Sequence, residues 1–199
     1  MPGSLKDAVV DLLDKVARPP GTPVPEGATA EQIRQFETSS GMILPQELHT
    51  WLEVCNGGLI GPGGVYGVHP ALDILNIDLH LDLNPEWRDR QWAPIAGDGN
   101  GNTYVLDTRN TPDGLRPVYF IDHEGNVADA VYLVASDLWH FLYFLLAGDI
   151  EQEQTKKCSW PFNSEYVLRL DPILGQIKRD VPLPWNATYH KPNGKTPPA

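Results

Sequence analysis

The chain has 199 residues and a mass of 22.1 kDa, enough for one ordinary domain with extensions and a real core; its 19 prolines point to loops and a loosely wrapped segment. Its net charge of −11 is uneven: residues 1–150 hold 8 Lys+Arg against 21 Asp+Glu, a net of −13, and residues 151–199 hold 7 against 5, a net of +2. Such an acidic body repels nucleic acid and anionic membrane and attracts a basic partner, although acidity also serves solubility alone.

The two cysteines, Cys55 and Cys158, make no C-x-x-C pair and cannot supply a four-ligand zinc site. "MPGSLKDAVV" lacks the basic start and apolar block of a leader. No apolar run approaches the ~20 residues of a membrane span. The expected setting is the reducing cytoplasm.

Residues 4–17 read as an amphipathic helix, with Ser4 and Asp7 as a capping pattern and Leu5, Ala8, Val9, Leu12, Leu13 and Val16 as its apolar stripe. "RPPGTPVPEG", 18–27, cannot continue it and reads as a linker. Residues 29–41 begin on a Thr29/Gln32 capping box and end at Gly41, with Ile33 and Phe36 facing inward. A third helix is expected over 44–58, with Pro45 in its first turn, Leu48, Trp51, Leu52 and Cys55 buried, and Asn56-Gly57-Gly58 as its stop. Val65–Val68 suit a short strand.

Residues 75–84, "LNIDLHLDLN", alternate apolar and polar, which argues for a strand. "PEWRDRQ" after them looks helical. Four strands then read cleanly from "WAPIAG", "NTYVLDT", "RPVYFID" and "DAVYLVA", with "HEGN" as the turn between the last two. "SDLWHFLYFLLAGD" closes the series as a helix apolar nearly all round, and therefore buried, with Ser136 as N-cap and Gly148 as C-terminal cap. After 150 the period weakens and six prolines follow Pro161, so one or two short elements wrapping the domain are expected. The last nine residues read as disordered. Trp51 and Trp139 fit core stripes; Trp87, Trp92, Trp160 and Trp185 are less clearly placed, and some suit the domain edge.

Chemistry is sparse. Asp98, Asn100 and Asn102 are spaced like the first ligands of a calcium loop, but that loop needs glycine at position 6 and glutamate at position 12, where this chain has Thr103 and Arg109. A tight inter-strand turn using Gly99 and Gly101 explains the stretch instead. Asp78, His80 and Asp82 would share one face if 75–84 were a strand, and such a face can bind a divalent metal, although its commoner meaning is a solvated edge. An enzyme reading rests on that row alone. Ser136 lies near Asp137 and His140, but capping accounts for it without catalysis; there is no G-x-S-x-G, G-x-x-x-x-G-K-[ST] or G-x-G-x-x-G.

"EQIRQFETSSGMILPQELHTWLEVCNGG" resembles the opening segment of the SUKH superfamily, of the Smi/Knr type, in which two helices flank a G-x-x-L-P-x-x-L-like step and run into an N-G-G turn. Gly41, Leu44, Pro45, Leu48, Asn56, Gly57 and Gly58 carry the likeness. "WAPIAGDGNGNTYVLDT" resembles the family's strand–turn–strand, and "PVYFIDHE" and "YLVASDLWHFLYFLL" its later strands and closing helix. The resemblance spans about 29–148, leaving 1–28 as an N-terminal helix and proline-rich linker and 149–199 as a C-terminal wrapping extension.

The resemblance implies an α+β fold, a curved and mainly antiparallel sheet packed by helices, with 70–90 helical or irregular rather than a strand. It also implies a binding module without cofactor or chemistry of its own. Many bacterial members are immunity proteins that neutralise toxin domains, often nucleases; fungal relatives are linked to cell-wall synthesis and its signalling, which makes a cytosolic regulator or scaffold the alternative. The acidic charge agrees with a basic protein partner, a toxin domain. Carboxylates in or beside turns, Asp98, Asp122 and Glu124, are the expected contacts.

Overall fold

The computed structural model describes residues 4–18, 22, 25–111 and 113–187. Part of the linker and residues 188–199, which include the nine read as disordered, therefore lie outside the described residues. Helix α1 (Leu5–Leu13) starts on a Ser4/Asp7 capping box, buries Val9 and Leu13, and packs on the long helix α6 (Leu138–Thr155). Helix α2 (Ala30–Ser40) starts on the Thr29/Gln32 box, buries Ile33 and Phe36, and ends on Gly41 at φ 70°, where a side chain would strain the left-handed turn. Helix α3 (Gln46–Leu52) is shorter than expected, with Pro45 as its N-cap rather than in its first turn. Asn56 does not stop this helix directly. It is buried and holds the next loop: its Nδ2 donates to the Val68 carbonyl (2.9 Å), and its Oδ1 accepts from the Val68 N–H (2.8 Å).

Strands β1 (Trp92–Gly97), β2 (Thr103–Asp107), β3 (Val118–Ile121) and β4 (Tyr132–Ala135) form an open antiparallel meander in the order β1-β2-β3-β4. The fold is α+β. Every residue of all four strands is buried, so both faces of the sheet are covered. Tyr104, Phe120 and Tyr132 form a cross-strand ladder with ring centroids 5.5 and 4.7 Å apart. Phe141 of α6 and Trp160 lie 5.0 and 5.6 Å from Tyr104. The expected strand at Val65–Val68 does not form. That stretch makes isolated bridges only, and Tyr66 donates its N–H to the Ile95 carbonyl at the open edge of β1.

The alternation over 75–84 does not give a strand. A single 3₁₀ turn (Asp73–Leu75) leads into helix α4 (Ile77–Leu83), as the resemblance implies, and α5 (Glu86–Arg90) follows. Two backbone bonds from outside the segment hold its start: Gly67 donates to Leu75 O and Ile77 donates to Gly67 O, both at 2.9 Å. Asn76 caps the helix by accepting from Asp78 N–H.

Helix α6 (Leu138–Thr155) is buried through Leu138, Phe141, Leu142, Phe144, Leu145 and Leu146. Two details differ from expectation. Its N-cap is Asp137, not Ser136: the Asp137 carboxylate accepts from His140 N–H (2.9 Å), while the Ser136 N–H is taken by the buried Asp171 at 2.7 Å. Gly148 does not end the helix, which runs on to a left-handed cap at Lys156. The glycine serves close packing instead, since a Cβ there would stand 3.0 Å from Cys158 Sγ on the returning chain.

Beyond α6 the chain covers the domain through α7 (Ser164–Leu170) and 3₁₀ turns at Leu174–Gln176 and Pro184–Asn186. Trp160, Val167 and Leu174 are buried, and Phe162, Leu168 and Trp185 are partly buried against the core. Pro182 O accepts from Leu133 N–H and so occupies part of the outer edge of β4.

Candidate partner-binding surface

Asp98 builds the turn between β1 and β2. Its Oδ1 accepts from the N–H groups of Asn100 (2.8 Å) and Asn102 (3.0 Å), and its Oδ2 accepts from Asn102 Nδ2 (2.8 Å). Gly99 and Gly101 complete the turn at φ 81° and 98°, a backbone that side chains resist. The spacing that resembles a calcium loop is thus an Asx-type turn, its carboxylate committed to N–H donors. Thr103 opens β2, and Arg109 is bonded to the Asp107 carboxylate.

Thr103 pairs with Ile121, which sets the 98–102 turn beside the chain leaving β3. Buried Asn102 joins them, its Oδ1 accepting from His123 N–H (3.1 Å) and facing His123 Nδ1 at 2.8 Å, so the ring carries its proton there. Asp98, Asp122 and Glu124 therefore lie at one end of the sheet. Their roles differ. Asp98 and Asp122 are half-buried and shape turns, Asp122 Oδ1 accepting from Glu124 N–H (2.9 Å); Glu124 is exposed.

Between this end of the sheet and residues 59–83 lies an open cleft of about 400 Å³, with Tyr66, His80, Ile74, Leu83, Thr103 and His123 among its lining. Its shape is set by a close approach: a Cβ on Gly63 would stand 2.4 Å from Gly99 N, so only glycine allows this loop against the turn. Tyr66 and His80 stack in the cleft with centroids 3.9 Å apart and planes at 11°. Burial pushes the Tyr66 hydroxyl up to about 12, with the Thr103 hydrogen bond opposing, so it stays protonated. Burial holds His80 below its ordinary value, against the opposing bond to the Ile74 carbonyl (3.0 Å). The ring is therefore neutral near pH 7.

Apolar side chains crowd the same segment. Ile74 is 66% exposed and Leu83 68%, with Leu59, Leu72 and Leu79 also open to solvent. The helix is the cause. Leu75, Ile77, Leu79, Leu81 and Leu83 would share one buried face on a strand, but a period of two spreads them around a helix. Leu75, Ile77 and Leu81 reach the core, while Leu79 and Leu83 do not. Residues 59–83, 97–103 and 121–127 together contain six carboxylates and no Lys or Arg.

The row Asp78, His80 and Asp82 comes apart on this helix. His80 stacks on Tyr66, and Asp82 pairs with Arg88 at 2.7 Å. Among the described residues, no group of three or more His, Cys, Asp or Glu is placed to hold a metal ion. Ser136 is fully buried, and His140 Nδ1 faces both the Asp137 carboxylate (2.8 Å) and Ser136 Oγ (3.5 Å). A catalytic relay needs the base to address nucleophile and carboxylate through different nitrogens, so this cluster is not arranged as one. Burial raises both thiols, Cys55 to about 12, which makes them poor nucleophiles.

The turns at Asp98 and Asp122 are legible in the sequence, whereas the helical state of 77–83, which leaves Leu79 and Leu83 open, runs against its alternation. The available signal was Asn76 as a helix cap with Pro85 just beyond the segment's end. No helix among the described residues is long and apolar enough to cross a membrane. A search of curated proteins returns no match. The model of the SMI1 / KNR4 family (SUKH-1) matches residues 27–143, from just before α2 into α6 and including Gly41, Leu44, Pro45, Leu48 and the Asn56-Gly57-Gly58 turn. With more than half of its length so matched, and an open antiparallel sheet packed by helices, the chain belongs to the SMI1 / KNR4 family (SUKH-1).

Proposed function

We propose that this chain is a cytoplasmic, non-enzymatic binding module that acts as an immunity protein, neutralising a basic toxin domain of nuclease type. Family membership supports a protein-binding role. The observation that carries the finer reading is the charge of the three segments that border the cleft, 59–83, 97–103 and 121–127, which hold six carboxylates without a Lys or Arg. A nuclease must present a basic surface to phosphate, and an acidic inhibitor masks that surface and speeds its own association. Glu124 is the best-placed contact of the acidic turns because it is exposed, whereas Asp98 and Asp122 hold the turns that present it.

The test is co-expression with a candidate basic toxin domain, sought among the products of neighbouring genes. The expected result is restored growth and a complex that weakens as salt rises. Replacing Glu124 with lysine is expected to slow association by about tenfold, with dissociation less changed. Absence of both rescue and complex would remove the immunity reading and leave a cytosolic regulator related to cell-wall synthesis.

A further inference from the structure

We infer that the cleft between residues 59–83 and the sheet end at 97–103 and 121–127 receives a protein segment bearing a large apolar side chain flanked by arginine or lysine. This deepens the partner reading above and rests on it. The first ground is exposed apolar surface that the fold does not use. Ile74 and Leu83 line the cleft at 66% and 68% exposure, and Leu59 lines it as well. Contiguous bare aliphatic side chains raise free energy in water and mark interaction sites in soluble domains.

The second ground is charge. Asp73, Asp82 and Glu124 are exposed in the same three segments, Asp78, Asp98 and Asp122 are half-buried there, and no Lys or Arg offsets them within those segments. Arg88 pairs with Asp82 from outside. An anionic ligand, nucleic acid included, is repelled, and an apolar ligand alone leaves the exposed Asp73 and Glu124 unmatched. A simple cation makes no use of Ile74 and Leu83. An apolar anchor with adjacent cations satisfies both, and desolvation of the apolar surface strengthens the charge pairing around it. The cleft is preformed, because the loop carrying Gly63 is seated directly on the hairpin turn.

The test is amide-resolved NMR titration of the full chain with a short capped peptide of alternating leucine and arginine, and with its leucine–glutamate counterpart. With the arginine peptide, shifts are expected within 59–83, 97–103 and 121–127, weaker in about 300 mM salt than in about 50 mM. The double variant Ile74→Ser/Leu83→Ser is expected to bind that peptide at least about tenfold more weakly. Both positions are solvent-facing, so the variant's unchanged spectrum elsewhere confirms its fold. Shifts outside these segments, equal response to the glutamate peptide, or an unchanged double variant would overturn the inference. So would a dimer of the free chain that dissociates in the double variant, since the face would then belong to a second copy. The two readings fail separately. Peptide binding at the cleft without rescue from a toxin sinks the toxin reading alone; rescue by the double variant equal to wild type sinks the cleft alone.

Discussion

Residues 59–83 and 159–187 are built alike, from proline-broken loops, short 3₁₀ turns and one two-turn helix, yet they differ in how much of their apolar side chains they leave open. The later segment puts Trp160, Val167 and Leu174 into the core and leaves one large aliphatic side chain, Ile173, open; its Asp171 is wholly buried as well. Trp160 sits among Tyr104, Phe141 and Phe144 and donates its Nε1–H to Val134 O. The earlier segment buries Ile60, Val65, Tyr66, Val68, Leu75, Ile77 and Leu81 but leaves Leu59, Leu72, Ile74, Leu79 and Leu83 open. A segment whose apolar groups find partners inside the fold stabilises it. A segment with apolar groups left over, beside an excess of one charge, has surface suited to something outside.

Three measurements sharpen or break this contrast. The largest expected effect is Trp160→Ala, which removes a buried indole from an aromatic cluster and is expected to cost about 3–5 kcal/mol in urea unfolding. A loss below about 1 kcal/mol would show that the C-terminal cover is dispensable and that the two segments are equally peripheral. The next concerns the pH dependence of the joint between α6 and that cover. Burial pushes His140 down, but the hydrogen bond and charge of Asp137, with Asp171 and the Leu170 carbonyl, raise it above its ordinary value. Burial likewise pushes Asp137 up, and its bonds to His140 more than reverse this, holding it below the carboxylate value of 3.8.

A raised histidine stabilises fully below its unfolded value of 6.5 and loses that contribution as pH climbs through its folded one; a lowered aspartate stabilises above 3.8 and loses its contribution as pH falls. Both act together between those two values. The urea midpoint is therefore expected to fall as pH climbs above 6.5, and His140→Gln is expected to flatten that fall. An equal slope in the variant would place the titration elsewhere. The smallest effect is expected on the other segment. Ile74→Ser and Leu83→Ser are each expected to change stability by no more than about 0.5 kcal/mol, because neither side chain is packed. A loss of about 2 kcal/mol or more, the cost of a core truncation, would mean these residues serve the fold.

Features set by near neighbours can be read directly along the chain: the capping boxes at Ser4 and Thr29, the left-handed stop at Gly41, the four strands, and a buried helix after the last of them. Each depends on side chains three or four positions apart or on unbroken apolar runs, so local chemistry suffices. The acidic turns were legible for the same reason. Tertiary structure alone decided the state of 75–84, where alternation favoured a strand and the bonds from Gly67 to Leu75 and Ile77 fixed a helix start. It also decided the length of α6, because what Gly148 meets is Cys158 on a chain that returns later. The cleft is the clearest case. Asp98 and Glu124 stand 26 positions apart in sequence, and only strand pairing at Thr103–Ile121 and the bridge through Asn102 bring their turns together. No periodicity records such a meeting, since it follows from long-range pairing and not from neighbouring residues.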